Sequence, residues 1–248
     1  MGWIAYEELA WMESLLCPPE ECEEECRELC DRIKGLARND CRTLLHLGSG
    51  AGLFDFTYKK HFAVTGVDIS GGMLAEARKL NPSVHYVQAD MRSVRLREQF
   101  DAVIIPDAVD YMVTEDDLRS ALMTVSAHLK RGGLFAVDAH TSESFRENNF
   151  VYSGAGEGIQ VTLFENNYVP ALNPTTYEAV LCYLIRRAGE LEIRHERHVL
   201  GLHGREVWLR LFREQGLELR EAIDKDSYED SILGEGEHPV TVFFCEKA

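Results

Sequence analysis

The segment Leu44–Gly52, LLHLGSGAG, constrains the fold of this chain more than any other. A short apolar run ends in three glycines at alternate positions, Gly48, Gly50 and Gly52, and an amphipathic stretch begins at Leu53. This order predicts a buried strand, a tight turn and a helix N-terminus. Glycine permits a positive φ and close approach of a ligand, and a helix N-terminus presents free N–H groups. The segment therefore predicts a ligand-binding turn in an α/β domain, although a turn that binds nothing has the same pattern.

A second segment, Ala63–Asp68, reads as a strand that ends in an acid 20 positions after Gly48. In a doubly wound sheet such an acid lies beside the glycine turn and accepts hydrogen bonds from ribose hydroxyls. The two segments together predict a nucleoside site. The dinucleotide fingerprint requires Gly or Ala where Leu53 stands, so a nicotinamide-dependent oxidoreductase is a disfavoured alternative.

The Gly-x-Gly-x-Gly pattern resembles motif I of the class I S-adenosylmethionine (SAM) dependent methyltransferases. Four further blocks keep that family's order over about residues 40–140: Gly66–Ser70 with Met73 and Leu74, Gln88–Met91, Phe100–Ile105 and Leu129–Gly133. The resemblance implies an α/β, three-layer Rossmann-like methyltransferase fold with a seven-stranded, mainly parallel sheet in the order 3-2-1-4-5-7-6. It also implies SAM as the cofactor and S-adenosylhomocysteine (SAH) as the product.

The resemblance also assigns cofactor-binding residues. Asp68 would hold both ribose hydroxyls, Ile69 would pack on the adenine, and Asp90 and the Met91 backbone would contact the edge of the ring. The complete predicted set is Tyr6, Gly48, Ser49, Gly50, Asp68, Ile69, Met73, Asp90, Met91 and Pro106.

Two positions depart from the family's pattern. The family has Asp or Glu two residues before the first motif glycine, where it orients the methionine end of SAM, and His46 stands there. A neutral His46 could accept a hydrogen bond from the ammonium group of SAM, or it could simply fill the end of the strand. The stretch from Met1 to Leu16 predicts a helix, and its Tyr6 resembles the segment that closes over SAM. Glu13 lies where a second Tyr-Asp pair is usual, so packing on the domain is the alternative role of this helix.

Methyl transfer from a sulfonium needs mainly alignment and exclusion of water, so no fixed catalytic triad is expected. Candidate bases follow the predicted fourth and fifth strands at Asp107, Asp110, Tyr111 and His140. Asp107 and His140 are the predicted catalytic residues, and a structural role is the alternative for each. The predicted function is methyl transfer to N or O of a small-molecule acceptor. A SAM-binding protein without turnover is the alternative.

The composition narrows the expected partners. Asp and Glu number 42 and Lys and Arg 26, which gives a net charge of −16 and disfavours nucleic acid. No apolar stretch approaches the ~20 residues that span a bilayer. The N-terminus lacks the basic region and cleavage site of a signal peptide. We therefore expect a small-molecule substrate, no nucleic-acid or membrane partner, and a cytoplasmic location.

Three of the seven cysteines, Cys22, Cys26 and Cys30, recur every four residues. A metal-binding helix face is one interpretation of this spacing. An apolar helix stripe that continues through Ile33 and Leu36 is favoured, because no Cys-x-x-Cys pair is present. No metal site is predicted.

Residues 141–200 interrupt the alternation of strands and helices with four segments rich in β-branched and aromatic residues, separated by turn signals. They predict an antiparallel β insertion after the fifth core strand, which serves as a substrate lid, an oligomer interface, or both. The predicted organisation is residues 1–38 as N-terminal helices that cap the SAM site, 39–140 with 201–248 as the SAM-binding core, and 141–200 as the insertion. A homodimer through this insertion is possible.

Overall fold

The computed structural model describes residues 2–38, 40–226, 231–233 and 237–248. Its eleven strands are β1 (Thr43–Leu47), β2 (Ala63–Asp68), β3 (His85–Gln88), β4 (Phe100–Ile105), β5 (Leu129–Ala139), β6 (Asn148–Gly156), β7 (Ile159–Tyr168), β8 (Thr176–Arg187), β9 (Glu190–Gly201), β10 (Leu217–Asp226) and β11 (Pro239–Lys247). Its α-helices are α1 (Glu13–Leu16), α2 (Glu23–Leu36), α3 (Asp55–Tyr58), α4 (Gly71–Leu80), α5 (Glu115–His128) and α6 (Arg205–Glu214), and 3-10 turns cover Ala10–Met12 and Val109–Tyr111.

Seven strands form one sheet in the order β10-β11-β5-β4-β1-β2-β3. Strand β11 runs antiparallel to both of its neighbours, and the other pairs are parallel. Counted along the core, this is the predicted order 3-2-1-4-5-7-6, which confirms the Rossmann-like fold. Because the sheet is parallel at its centre, the C-terminal ends of β1 to β4 meet at one edge.

Side chains alternate across this sheet and give it two apolar faces. Leu45 and Leu47 of β1 pack with residues of α5 and α6, including the buried Trp208. Leu44 packs on the opposite face with Cys26 and other residues of α2. The cysteine stripe of α2 therefore lies against the sheet, and three layers result.

The four remaining strands form an antiparallel sheet in the order β6-β7-β8-β9. One face of it carries Leu163, Leu181 and other buried residues that pack against Leu9 and Met12 of the N-terminal segment. Gly154 on β6 permits this approach, because a Cβ there would lie 1.8 Å from the carbonyl oxygen of Leu15. The insertion and the N-terminal segment are thus packed as one layer.

The predicted helix over residues 1–16 is wrong for its first half. Residues 4–9 form turns, and helical structure begins only at Ala10. The backbone N–H groups of Ile4 and Ala5 donate to the Glu196 carboxylate on β9, at 2.9 Å and 2.6 Å. The first turn of a helix leaves its backbone N–H groups without helical partners. Here a carboxylate on a distant strand accepts two such N–H groups, so tertiary contacts override the helix that the local sequence pattern predicts. No helix among the described residues is long and apolar enough to cross a bilayer.

Candidate active site

A cavity of about 380 Å³ lies where the ends of β1, β2, β3 and β4 meet the N-terminal segment. This volume is within the usual range for a small-molecule site. All ten residues of the predicted cofactor set line it, and so does Asp107. The same cavity is also lined by His46 and Glu13, neither of which belongs to that set.

The glycine turn forms the floor of this cavity. Gly48, Gly50 and Gly52 have φ values of 75°, 53° and 74°, which side chains other than glycine rarely adopt. A Cβ on Gly48 would lie 2.4 Å from the Cβ of Ala108, whereas a Cβ on Gly50 would meet nothing within 4 Å. The N–H groups of Gly48 and Ser49 both donate to the carbonyl of Val67 on β2. The turn is therefore fastened to the sheet, and Gly50 leaves open space above it.

Asp68 is held at the rim of this open space. Its Oδ2 accepts the N–H of Gly50 at 2.8 Å, and its Oδ1 accepts the N–H of Ser70 at 2.8 Å. Burial raises the pKa of Asp68, while the backbone hydrogen bonds lower it. Each carboxylate oxygen has a further lone pair. The side chain is thus fixed between the glycine turn and the N-terminus of α4, with two acceptors side by side.

The residues past Asp68 form the outer end of the cavity. Ile69 is 58% exposed although its side chain is apolar. Asp90 accepts hydrogen bonds from the backbone and guanidinium of Arg92, and these bonds lower its pKa. Arg92 also pairs with Asp117. Asp90 is therefore fixed in place by a neighbour that the sequence pattern did not reveal.

The N-terminal segment lies across the cavity and is fastened on both sides. The Ser70 hydroxyl donates to the carbonyl of Tyr6 at 2.6 Å, and the N–H of Gly72 donates to Glu7 at 3.1 Å. The Tyr6 and Tyr111 hydroxyls are 2.5 Å apart. The Tyr111 hydroxyl is also 2.6 Å from Nδ1 of the buried His198 on β9. Nothing in the sequence singled out His198, because its role depends on the register of the insertion.

Three carboxylates from distant parts of the chain influence one another at the inner end of the cavity. Burial raises the pKa of Glu13 to about 7, and the carboxylates of Asp107 and Glu165 add to that rise. Burial and Asp107 also raise the pKa of Glu165, against a hydrogen bond from Asn167. Asp107 has a φ of 57°, a left-handed backbone at the end of β4 that is typical of functional positions. The sequence pattern predicted Asp107 but missed Glu13 and Glu165.

His140, the other predicted catalytic residue, is not among the residues that line this cavity. Its Nδ1 is 2.5 Å from Asp110 and its Nε2 is 3.1 Å from Nε2 of His238. Burial lowers the pKa of His140, but the Asp110 carboxylate outweighs this and the net shift is upward. Burial and His140 lower the pKa of His238 to about 3. Since both nitrogens of His140 have protein partners, the prediction that it contacts the acceptor is not supported by this geometry.

His46 forms a buried pair with Asp55 of α3. Nδ1 of His46 is 2.8 Å from Oδ1 of Asp55, and the Tyr86 hydroxyl donates to Oδ2 at 2.9 Å.

No group of three or more His, Cys, Asp or Glu residues that could hold a metal ion occurs in the described parts of the chain.

Residues 44–133, which contain the glycine turn and the first four strands, match the sequence profile of a family described as a methyltransferase domain. This part of the chain is similar to a methyltransferase domain. The profile begins within β1 and ends within β5, so the methyltransferase domain includes the predicted motif residues from His46 to Asp107. This match disfavours the nicotinamide-dependent alternative.

Relatives of the methyltransferase domain include enzymes that are named for amino sugars. One is the dTDP-3-amino-3,4,6-trideoxy-alpha-D-glucopyranose N,N-dimethyltransferase of Streptomyces venezuelae, 31% identical over 46% of this chain and 48% of that relative. Another is the dTDP-3-amino-3,6-dideoxy-alpha-D-glucopyranose N,N-dimethyltransferase of Streptomyces fradiae, 26% identical over 71% of this chain and 69% of that relative. The chain thus spans about half the length of the first of these curated relatives.

Solved structures extend the similarity of fold beyond the methyltransferase domain. DesVI of Streptomyces venezuelae superposes with a TM-score of 0.77 at 20% identity, over 91% of this chain and 92% of that one. The SAM-bound amino pentose methyltransferase CalS10 of Micromonospora echinaspora superposes with a TM-score of 0.74 at 24% identity, over 91% of each chain. Because 91% of the chain superposes, the shared architecture includes most of the β insertion.

Proposed function

We propose that this chain is a SAM-dependent methyltransferase whose acceptor is the nitrogen of a small-molecule amine. The observation that carries the proposal is the position of the Asp68 carboxylate, fixed by the N–H groups of Gly50 and Ser70 over an open glycine turn. Two adjacent acceptors at this point fit the two hydroxyls of a ribose. The exposed apolar side chain of Ile69 fits an adenine face beside it.

SAM, when bound, supplies a methyl group on a sulfonium, which is already an activated donor. The residues of the chain then have to align the acceptor and exclude water. The N-terminal segment, held by Ser70, Gly72 and Glu196, covers the cavity and serves the second purpose. Alignment of this kind is worth up to ~7–11 kcal/mol in intramolecular reactions.

The charge around the inner end of the cavity favours an amine over an alcohol. Glu13, Asp107 and Glu165 influence one another there, and two of them, Glu13 and Asp107, line the cavity itself. The sole cationic side chain in the described lining is that of Arg92, which pairs with Asp90 and Asp117. Such a site attracts an ammonium ion. The names of the amino-sugar relatives support the same acceptor atom.

An ammonium has no lone pair, so the acceptor has to lose a proton before it reacts. Glu13 is suited to take this proton because its pKa of about 7 lies close to neutral pH. The nitrogen lone pair then forms a bond to the methyl carbon while the carbon–sulfur bond breaks, and SAH is released. Asp107 holds the positive charge of the acceptor nearby. The predicted base His140 is replaced in this proposal by Glu13.

Ligand binding followed by turnover tests the proposed function. We expect SAM and SAH, but not NAD, to raise the melting temperature, since a ligand at ~100 times its Kd adds about 2.7 kcal/mol of stability. Incubation with SAM and a panel of amines should then yield SAH, and matched alcohols should yield none. Stabilisation by NAD alone would overturn the proposal. SAH binding with no turnover of any panel member would favour the SAM-binding alternative.

We also propose that the insertion sheet pairs with a second copy of the chain. The face of this sheet that points away from the core exposes the apolar side chains of Phe164, Leu191, Ile193 and Val199. An exposed apolar group of this kind is typical of an interaction surface. The cytoplasmic location and the absence of a nucleic-acid partner stay predictions.

Substitution within this apolar face tests the dimer. We expect light scattering to give twice the chain mass of 28.1 kDa for the unchanged protein. Phe164→Glu should shift the protein to the monomer, because it places a charge among apolar side chains. Leu172→Glu is the matched control, since Leu172 is 98% exposed in a loop outside the sheet. A monomeric unchanged protein, or a dimer that Phe164→Glu leaves intact, would contradict the proposal.

A further inference from the structure

A second cavity, of about 1000 Å³, opens beside the candidate active site. Residues of α2 from Glu25 to Leu36 form one side of it and residues of β10 and β11 form the other, and we call it the α2 groove. Phe54, Pro106 and Asp107 line both the α2 groove and the cavity of the candidate active site. The two cavities therefore meet at the end of β4, and a molecule that reacts beside Asp107 can extend into the α2 groove.

The floor of the α2 groove is apolar. Tyr58, Val242 and Phe244 are buried there, and Phe54 and Ile223 are half-buried. An apolar part of a bound molecule gains free energy when it displaces water from such a surface. The groove therefore fits an acceptor that has an apolar body.

Most of the charged side chains around this floor are acids. Among the described residues that line the groove, two are cations, Arg32 and Lys225, and six are acids, Glu25, Glu28, Asp31, Asp107, Asp138 and Asp226. Glu28 and Asp31 are exposed on α2, and neither takes part in a salt bridge with a described residue. Such an excess of carboxylates along a groove attracts a cationic group.

Both cations of the groove already have carboxylate partners. Nε of Arg32 donates to Glu221 at 2.7 Å. Nζ of Lys225 is 2.6 Å from a carboxylate oxygen of Glu25 and 3.3 Å from one of Asp138. These pairs join α2 to β10 and β5 and neutralise the two positive charges, so neither cation is left for a bound anion.

The same balance of charge disfavours a phosphate group on the acceptor. Phosphates are bound most strongly by Arg and Lys, and Arg92 of the neighbouring cavity pairs with Asp90 and Asp117. Residues 227–230 and 234–236, which lie between β10 and β11 in the sequence, contain no Lys or Arg. The two amino-sugar relatives are named for dTDP-linked substrates, which carry a diphosphate. The lining of these two cavities does not fit a substrate of that kind.

We infer that the acceptor of this chain is an unphosphorylated amine with an apolar body and a second cationic group, which lies in the α2 groove beside Glu28 and Asp31. This inference rests on the proposed function and names the class of its substrate. The reacting nitrogen lies near Asp107, where the two cavities meet, and the apolar body lies on the floor of the groove. The acids of α2 then select the acceptor by the charge at its far end.

Three acceptors with the same six-carbon chain test this selection. Hexamethylenediamine, hexylamine and ε-aminocaproate have a positive, a neutral and a negative far end, and release of SAH measures kcat/KM for each. Per amino group, we expect the diamine to exceed hexylamine about tenfold, the effect of two exposed ion pairs near the upper end of their usual strength. The aminocaproate should react more slowly than hexylamine.

A double substitution assigns this preference to the groove. Glu28→Gln with Asp31→Asn removes both carboxylates with little change in shape, and the advantage of the diamine should fall to about twofold. Glu21→Gln with Glu24→Gln is the matched control, because it removes two exposed carboxylates at the start of α2 that are not part of the groove lining. The control should keep the full advantage. Melting temperatures show that both variants are folded.

Binding of dTDP gives a measurement that does not depend on turnover. With SAH bound, calorimetry should detect no binding of dTDP to the unchanged chain. Binding of dTDP, equal kcat/KM for the three acceptors, or a diamine advantage that survives Glu28→Gln with Asp31→Asn would each overturn the inference. Turnover of other amines but of none of these three would also overturn it. If no amine at all yielded SAH, the proposed function itself would fail.

Discussion

Asp68→Ala should weaken SAH binding about a hundredfold, the largest loss of affinity that we expect from one substitution. The carboxylate has a further acceptor position on each oxygen and lines the cavity beside Gly50, and each bond from a charged group to a hydroxyl contributes about 1.5 kcal/mol or more. Two such bonds correspond to roughly a hundredfold change in Kd. The substitution also releases the N–H groups of Gly50 and Ser70, which loosens the turn.

Calorimetry with SAH measures this effect, and a second acid serves as the control. Asp116→Ala removes a carboxylate from α5 that is 91% exposed and is not part of the cavity lining. We expect Asp116→Ala to leave the Kd of SAH unchanged. That result would show that the change in net charge alone does not explain the weaker binding by Asp68→Ala. An Asp68→Ala protein that is folded and binds SAH as well as the unchanged chain does would refute the ribose-binding role.

Glu13→Gln should lower kcat about a hundredfold with an amine acceptor, since a positioned base contributes ~10²–10⁴ to a rate. The glutamine has nearly the same shape as the glutamate but cannot take a proton. In the unchanged chain kcat should rise with pH through about 7, because the ionised form of Glu13 is the active one. That rise should be absent in Glu13→Gln. Any further rise of kcat with pH that comes from loss of a proton by the substrate amine should remain in Glu13→Gln.

Two measurements separate this catalytic role from a structural one. SAH, which lacks the positive sulfonium, should bind Glu13→Gln as it binds the unchanged chain. Glu20→Gln, at an exposed position in the same N-terminal region, should keep the full kcat and its pH dependence. Equal pH profiles for the unchanged chain and Glu13→Gln would show that another group accepts the proton.

Stability gives an independent measure of the Glu13 pKa. The folded pKa of about 7 lies above the ordinary glutamate pKa of 4.5, so the folded state binds the proton more tightly than the unfolded state does. The free energy of unfolding therefore falls as pH rises between these two values, and it stays lower above them. Glu13→Gln should show a smaller fall over this range in denaturant titrations at several pH values.

Much of the cofactor side of the site could be predicted because its residues follow local signals. The glycines at 48, 50 and 52, the acid at 68 and the proline at 106 each stand at the end of an apolar run. In a parallel sheet those ends meet at one edge, whatever the loops between them do. Eight of the ten predicted residues line the cavity for this reason, while Tyr6 and Met73 reach it from the N-terminal segment and from α4.

The acceptor side could not be predicted in the same way. Glu13 and Glu165 interact across about 150 residues of sequence, and neither lies in a motif. His140 stands at the end of a core strand, as the pattern required, yet Asp110 and His238 occupy both of its nitrogens. His46 departs from the family pattern, and only the structure shows that its Nδ1 lies against Asp55.

The sequence alone determined the alternating strands and helices of the core and the edge of the sheet where its glycine turn lies, because apolar runs and glycine turns act locally. The strand order followed from the resemblance to a known family. The tertiary structure decided which carboxylates influence one another beside the cavity, that His46 pairs with Asp55 and where the N-terminal segment lies. Those features depend on the register of the insertion sheet and on burial, which bring together side chains from distant segments and set their pKa values.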